Sequence, residues 1–294
     1  MSKKERLGLA EFMETFGDEK ACNRYLAEKR WPNGFVCPKC GHQRGYTLCK
    51  GYFQCTSCRY QASVTAGTIM HRSHLPLTKW FLAFYQVTQD KRGISAVQLS
   101  KNLDVTYKTA WYLLYRIRKA MSQRSGAYLL SGIVEFDDAY IGGPTVGKKR
   151  GRGSEKAKVF VALSLDEDEN PKFLKMQITT NLKQASVRKF ATSHIRKGSE
   201  IRSDSFRSYP AALADDYTLK TQPYDPKAGP LHWLHILVSN AKAFILGTYH
   251  GLPTEHLQSY LDEFCFRFSR RFFYGRLFDR LAIAVACSFA DLKG

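Results

Sequence analysis

"GIVEFDDAYIGG", residues 132–143, is a β-rich run closed by glycines at both ends, the composition of a strand bounded by turns. Alternation along a strand places Ile133, Glu135, Asp137 and Ala139 on one face and Val134, Phe136, Asp138 and Tyr140 on the other. Acids in mid-strand run against both β-propensity and burial. Asp137 is therefore either a solvent-facing residue of an edge strand or a group with chemistry to perform. A second isolated aspartate follows in "GSEIRSDSFRSYP", where a short extended segment, residues 200–203, stops at Asp204 and a helix start comes next.

What lies between the two aspartates sets the fold expectation. "KVFVALSLD" and "KFLKMQI" read as a hairpin joined by the acidic turn "EDENP", and "LKQASVRKFATSHIR" reads as a helix. Strand, hairpin, helix, strand, with aspartates on the first and last strands, is the order of a ribonuclease H-like α/β domain. In that fold carboxylates bind two divalent ions for phosphodiester cleavage, and Mg2+ suits an oxygen site that also takes the substrate's phosphate. "PTVGKKRGRGSEKAK", directly after the first strand, carries six basic residues, Lys148, Lys149, Arg150 and Arg152 among them. It reads as a phosphate-gripping loop or as merely solvated charge.

Toward the N-terminus, "CPKCGHQRGYTLCKGYFQCTSC", residues 37–58, contains two C-x2-C pairs separated by 14 residues. Cys37, Cys40, Cys55 and Cys58 can close the tetrahedron of a structural zinc, with Gly41 and Gly51 serving tight turns. Cys49 is a spectator thiol on this reading, and Tyr46, Tyr52, Phe53 and Tyr60 form strands around the metal, as in a zinc ribbon. "LPLTKWFLAFYQVTQD" then shows helical periodicity with Thr78 as a possible cap. "GISAVQLSKNLDVTYKTAWYLLYRIRKAM" reads as a short helix, a turn at Asp104 and Val105, and a longer basic helix capped by Thr106, which is a helix-turn-helix pattern. Tyr107, Lys108 and Thr109 would then face a DNA major groove. The alternative is a helical hairpin whose basic residues only solvate its outside. Three parts result: a zinc ribbon with an N-terminal helix over 1–72, a helix-turn-helix module over 73–125 and a catalytic domain over 126–294.

Charge agrees with a polyanionic partner. Lys and Arg number 45 against 26 Asp and Glu, giving +19 and a pI near 9.6, which favours nucleic acid. No apolar run reaches membrane-spanning length and the N-terminus lacks a signal-peptide pattern. A cytoplasmic protein with no membrane partner is expected, and its cysteines are expected as thiols or metal ligands.

The order "CPKC...CTSC", helix-turn-helix, "VEFDDAYIGG", "SDSFRSYP", "HILVSNAKAFILGTYHG" and "HLQSYLDEFCFRFSRR" resembles bacterial insertion-sequence transposases that join a zinc ribbon to an ISXO-type DDE catalytic domain. The resemblance implies binding of double-stranded DNA at the element's terminal inverted repeats, metal-dependent strand cleavage, and strand transfer into a target. It also implies two Mg2+ or Mn2+ ions and a homodimer or larger assembly that brings two ends together. Its first two acids fall on Asp137 and Asp204. Its third, a glutamate seven residues before a lysine, falls on His235, with Lys242 as the lysine. Seven residues at about 100° each return to within roughly 20° of the start, so His235 and Lys242 share a helix face. Asn240 is the second choice for the third position, and a core histidine beside Trp233 and Leu237 is the structural alternative. Imidazole at this corner weakens the second ion and suits Mn2+ better than Mg2+, while Lys242 steadies a phosphate oxygen. Glu263 is expected to pair with Arg267 at i+4, and Glu135 shares the face of Asp137. Two further function classes fit the same residues: a DNA-binding regulator that has lost catalysis, and a nuclease that cuts without joining.

Overall fold

The computed structural model describes residues 7–48, 51–142, 156–222, 231–273 and 276–289. Cys49 and the loop residues Lys148, Lys149, Arg150 and Arg152 lie outside them. The chain divides into two compact units, one of residues 1–124 with 270–294 and one of residues 125–269.

The first unit contains α1 (Leu9–Phe16), α2 (Glu19–Arg30), a three-stranded antiparallel sheet of β1 (Gly45–Thr47), β2 (Phe53–Cys55) and β3 (Gln61–Ala62), then α3 (Leu77–Gln89), α4 (Ala96–Leu103) and α5 (Tyr107–Gly126). Zinc ribbon and helices thus fall into one unit rather than the two expected over 1–72 and 73–125. Thr78 does not cap α3. Glu19 of α2 does so from outside, accepting the backbone N–H groups of Leu77 and Thr78 at 3.0 and 2.9 Å and satisfying donors that the helix start leaves open.

The chain's last described helix, α10 (Leu277–Ala286), also belongs to this unit, whereas the sequence reading runs the catalytic domain over 126–294. Phe278 explains why: its ring lies 5.2 Å from Phe16 and 5.9 Å from both Phe12 and Phe81. Tyr25 donates to Asp279, and Ser288 Oγ accepts the Ile69 N–H at 3.1 Å. "LFDRLAIAVA" announces an apolar helix, but periodicity does not say which core it completes.

The second unit is built on β4 (Ile133–Ile141), β5 (Ala157–Leu165), β6 (Pro171–Thr179), α6 (Gln184–His194), β7 (Glu200–Ser203), α7 (Ser208–Leu213), β8 (Thr218–Thr221), α8 (His232–Thr248) and α9 (Thr254–Phe268). The sheet order is β6-β5-β4-β7-β8. β4, β5 and β6 are antiparallel neighbours, whereas β4, β7 and β8 run parallel. This is the ribonuclease H-like topology expected from the sequence. Helices cover both faces: Ala139, Val161 and Leu163 pack with Leu234, Leu237 and Leu261 of α8 and α9, and Val134, Phe136 and Phe160 pack with Phe190 and Tyr209 of α6 and α7. The two clusters separate odd from even residues of β4, so the pleat that divides Asp137 from Asp138 in the sequence does so in the fold.

Candidate active site and metal centre

Sheet register brings the two aspartates together. β4 pairs in parallel with β7 from Ile133↔Glu200 to Phe136↔Ser203. Asp137 and Asp204 are the residues that directly follow this last pair. Asp204 sits just past β7, where its Oδ1 accepts the Phe206 N–H at 3.0 Å and turns the chain toward α7. Asp137 Oδ1 accepts the Asp138 N–H at 2.7 Å. Asp138 points to the other side of the sheet, where the fully buried Tyr209 donates its hydroxyl to Oδ1 at 2.8 Å. Burial first, and then the charges of Asp138, Asp137 and Asp204, push the Tyr209 phenol far up, so it remains a donor. Tyr209 had no spacing signal in the sequence.

The third group arrives on α8, which lies against the Asp137 face. Glu135, buried on β4, accepts the Leu234 N–H through Oε2 at 3.0 Å. No side chain of the helix's own N-cap residue, Leu231, performs this task. A carboxylate at a helix N-terminus is favoured by the open N–H groups and the helix dipole, so β4 itself fixes the first turn of α8. The next residue is His235, whose Nε2 lies 3.3 Å from Asp137 Oδ2. Its side chain is 39% exposed against 15% for Asp137, so it is not a packed core histidine. The Asp137 hydrogen bond, aided by the charges of Asp137, Glu135 and Asp204, raises the His235 pKa against the opposing effect of burial. Burial raises the Glu135 carboxyl, and the Leu234 N–H and the nearby His235 and Arg202 oppose it.

Asn240 is exposed and, five residues on, points about 140° away from His235. Lys242 is half-buried; burial and then the neighbouring Lys156 lower its pKa. Glu263 and Arg267 form the expected i+4 pair at 3.6 Å, both buried.

The cysteines are gathered more tightly than the acids. Cys37, Cys40, Cys55 and Cys58 offer sulfurs that all lie within 4.8 Å of one another, the one such group of metal-ligating side chains among the described residues. Sγ–Sγ distances of 3.6 Å for Cys37–Cys58 and 3.7 Å for Cys40–Cys55 match the edge of about 3.8 Å that a tetrahedron with metal–sulfur bonds of about 2.3 Å requires. Desolvation pushes the Cys37 thiol up, but the backbone N–H groups of Cys40 and Lys39 and the neighbouring thiols outweigh it and hold it at about 7. Gly41 and Gly51 both have φ of +74°, the left-handed turns that glycine suits. Of the aromatic residues, Phe53 packs toward the cysteines, whereas Tyr46, Tyr52 and Tyr60 are exposed.

α4, a turn with Asp104 at φ +50°, and α5 occupy the expected positions. Thr106 caps α5 by accepting the Thr109 N–H at 3.2 Å, and the two hydroxyls pair at 2.9 Å. Tyr107 and Lys108 are exposed; Thr109 is half-buried and engaged in the cap.

Comparison with known proteins finds two family matches: the ISXO2-like transposase domain over residues 129–269 and the transposase zinc-ribbon domain over residues 17–61. A protein of the transposable element ISH50 from Halobacterium salinarum is 29% identical over 220 residues, covering 69% of this chain and 73% of its own length. Among solved structures, the Mos1 strand transfer complex is 14% identical with a TM-score of 0.31, covering 72% of this chain and 79% of that one. The Mos1 mariner paired end complex with Mn is 13% identical with a TM-score of 0.31, covering 74% and 90%. Overlap at that level is too loose to bear on the fold. No helix among the described residues is long and apolar enough to cross a membrane.

Proposed function

We propose that the chain, which matches the ISXO2-like transposase domain over residues 129–269 and the transposase zinc-ribbon domain over residues 17–61, is a DNA transposase. It binds the terminal inverted repeats of an insertion sequence and catalyses metal-dependent strand cleavage and strand transfer. The observation that carries the reading is that β4 and β7 pair in parallel up to Phe136↔Ser203, the residues just before Asp137 and Asp204, with His235 Nε2 3.3 Å from Asp137 Oδ2.

Two carboxylates and one imidazole suit a divalent cation, and Mn2+ better than Mg2+. Two such ions, when bound, supply Lewis acidity toward the attacking and leaving oxygens of a phosphodiester. The chain's own residues do the rest. Asp137 and Asp204 present the anionic oxygens, and Glu135 fixes the start of α8 so that His235 reaches them. His235 Nε2 can act as a ligand only when it carries no proton, and the hydrogen bond to Asp137 shifts its pKa upward, so its ligation competes with protonation. Lys242, with Lys156 near it, steadies a phosphate oxygen of the scissile strand. Cys37, Cys40, Cys55 and Cys58 hold a structural Zn2+. In DNA binding, α4 and α5 act as a helix-turn-helix with Tyr107 and Lys108 toward the duplex, and a dimer or larger assembly pairs two ends.

The deciding assay is cleavage and strand transfer on DNA carrying the element's own ends, in Mn2+. Wild type should form both products and Asp137→Ala neither. Identical products from the two proteins would refute the mechanism, and end binding without any cleavage would make the chain a regulator. Cleavage without joining would make it a nuclease.

A further inference from the structure

The outward side of α5 has a composition that groove reading does not require. At about 100° per residue, Ala110, Leu113, Leu114, Ile117, Ala120 and Met121 fill one arc, and all are buried. The opposite arc carries Trp111, Tyr112 and Tyr115. Tyr112 and Tyr115 are 49% and 39% exposed. The Trp111 and Tyr115 rings lie 5.7 Å apart at 4°, and those of Tyr112 and Tyr115 lie 6.2 Å apart at 19°. Large rings left this open on a helix that already buries a complete apolar face mark a contact surface.

Charge identifies the partner. Lys108, Arg116 and Lys119 share the aromatic arc, and α5 has no Asp or Glu from end to end. A surface of rings and cations without acids complements a polyanion whose subunits have flat faces. Polar groups for reading base edges are scarce there. Thr109 is paired with Thr106, and Arg116 is tied to the His71 carbonyl at 3.2 Å and to the Tyr112 hydroxyl at 3.3 Å, with its guanidinium 4.6 Å from the Tyr112 ring centre. Reading of a major groove rests on such polar side chains, whereas base–aromatic stacking accepts any base.

We propose that the Trp111–Tyr112–Tyr115 side of α5 is a stacking platform for unpaired DNA bases, holding a single strand while the neighbouring cations track its phosphates. The inference rests on the transposase reading, in which cleavage frees a strand at the element's end.

The test measures anisotropy of a labelled oligothymidylate and, separately, of a blunt duplex carrying the element's terminal repeat, with full-length zinc-loaded protein. Tyr112→Ala combined with Tyr115→Ala should weaken oligothymidylate binding roughly five- to hundred-fold, the range for losing one stacked base. The matching double Phe variant should retain it within about twofold, because the ring and not the hydroxyl stacks. Duplex binding should change far less. Unchanged strand binding in the Ala variant, equal loss in the Phe variant, or proportionate loss of strand and duplex would each overturn the proposal. A second measurement needs no variant. Photo-crosslinking of wild type to an iodouracil-substituted strand should label the peptide containing Tyr112 and Tyr115, and labelling confined to other peptides would refute it. Wild type that binds the duplex but not the strand sinks this inference alone; wild type that binds neither sinks the transposase reading with it.

Discussion

The four-cysteine centre and the Asp137–Asp204–His235 centre are assembled in opposite ways. All four sulfurs come from residues 37–58, and two local turns suffice to converge them. The acid site draws on the middle of β4, the end of β7 and the first turn of α8, and those elements are placed by a packed core and by Glu135. A local site with little core around it depends on its metal for its shape, whereas a distributed site inherits its shape from the fold. Removing ligands should therefore unfold the first and only silence the second.

The largest effect expected is on the zinc side. Structural zinc in small domains carries about 10–16 kcal/mol of apparent binding free energy that is also folding free energy. Chelation, or Cys40→Ser, should open residues 17–61 to limited proteolysis while the fragment of residues 125–269 stays protected. Equal protection of both regions after metal removal would break the contrast. Next in size, Asp137→Asn or Asp204→Asn should lower strand cleavage roughly thousand-fold or more, since metal-assisted charge stabilisation supplies several kcal/mol. Thermal unfolding should hardly move, and a large drop in Tm would show that the carboxylates are structural.

The same contrast governs what the sequence revealed. C-x2-C spacing encodes the cysteine centre directly, and period-two alternation put Asp137 and Asp138 on opposite faces before any sheet existed. The partners that hold these groups were not legible, because they cross between elements. Glu135 meets the Leu234 N–H 99 residues away and Tyr209 meets Asp138 71 residues away, contacts set by sheet order and helix docking. Glu19 capping α3 is a further case. The apolar pattern of α10 was plain, yet its membership of the first unit depends on a ring cluster formed with α1 and α3. Tyr46, Tyr52 and Tyr60 were expected around the metal on composition alone, but Tyr46 pairs with Gln54, and Gln54 with Gln61, on the solvent side of the sheet while Phe53 turns inward.

A smaller change sharpens the third corner. His235→Ala should cost roughly 10–100-fold in metal affinity or cleavage, the range for tuning groups around a metal. His235→Glu should restore activity and raise the rate in Mg2+ relative to Mn2+, because oxygen suits the harder ion. Asn240→Ala should leave cleavage unchanged. Activity that survives His235→Ala but not Asn240→Ala would move the third position five residues along α8.

The smallest expected effect separates two histidines of the same unit by sign. His194 on α6 bonds Gln177 at 2.9 Å and packs against Phe190; burial, and then Lys175, push its pKa down to about 4. The unfolded value is about 6.5, so between those limits the unfolded chain binds more protons and stability rises with pH. The contribution of neutral His194 is complete above about pH 6.5 and is lost as pH falls to about 4. Allowing for its partial exposure, that is about 1–2 kcal/mol. His235 has a raised pKa, so its contribution is present below about pH 6.5 and is lost as pH rises through the folded value. Denaturant unfolding of the zinc-loaded protein at pH 4.5 and 7 should show the acid-side loss in wild type and a flatter profile in His194→Gln. A slope that survives His194→Gln would belong instead to proton-driven release of metal from the cysteines, returning the pH sensitivity to the local site and away from the packed one.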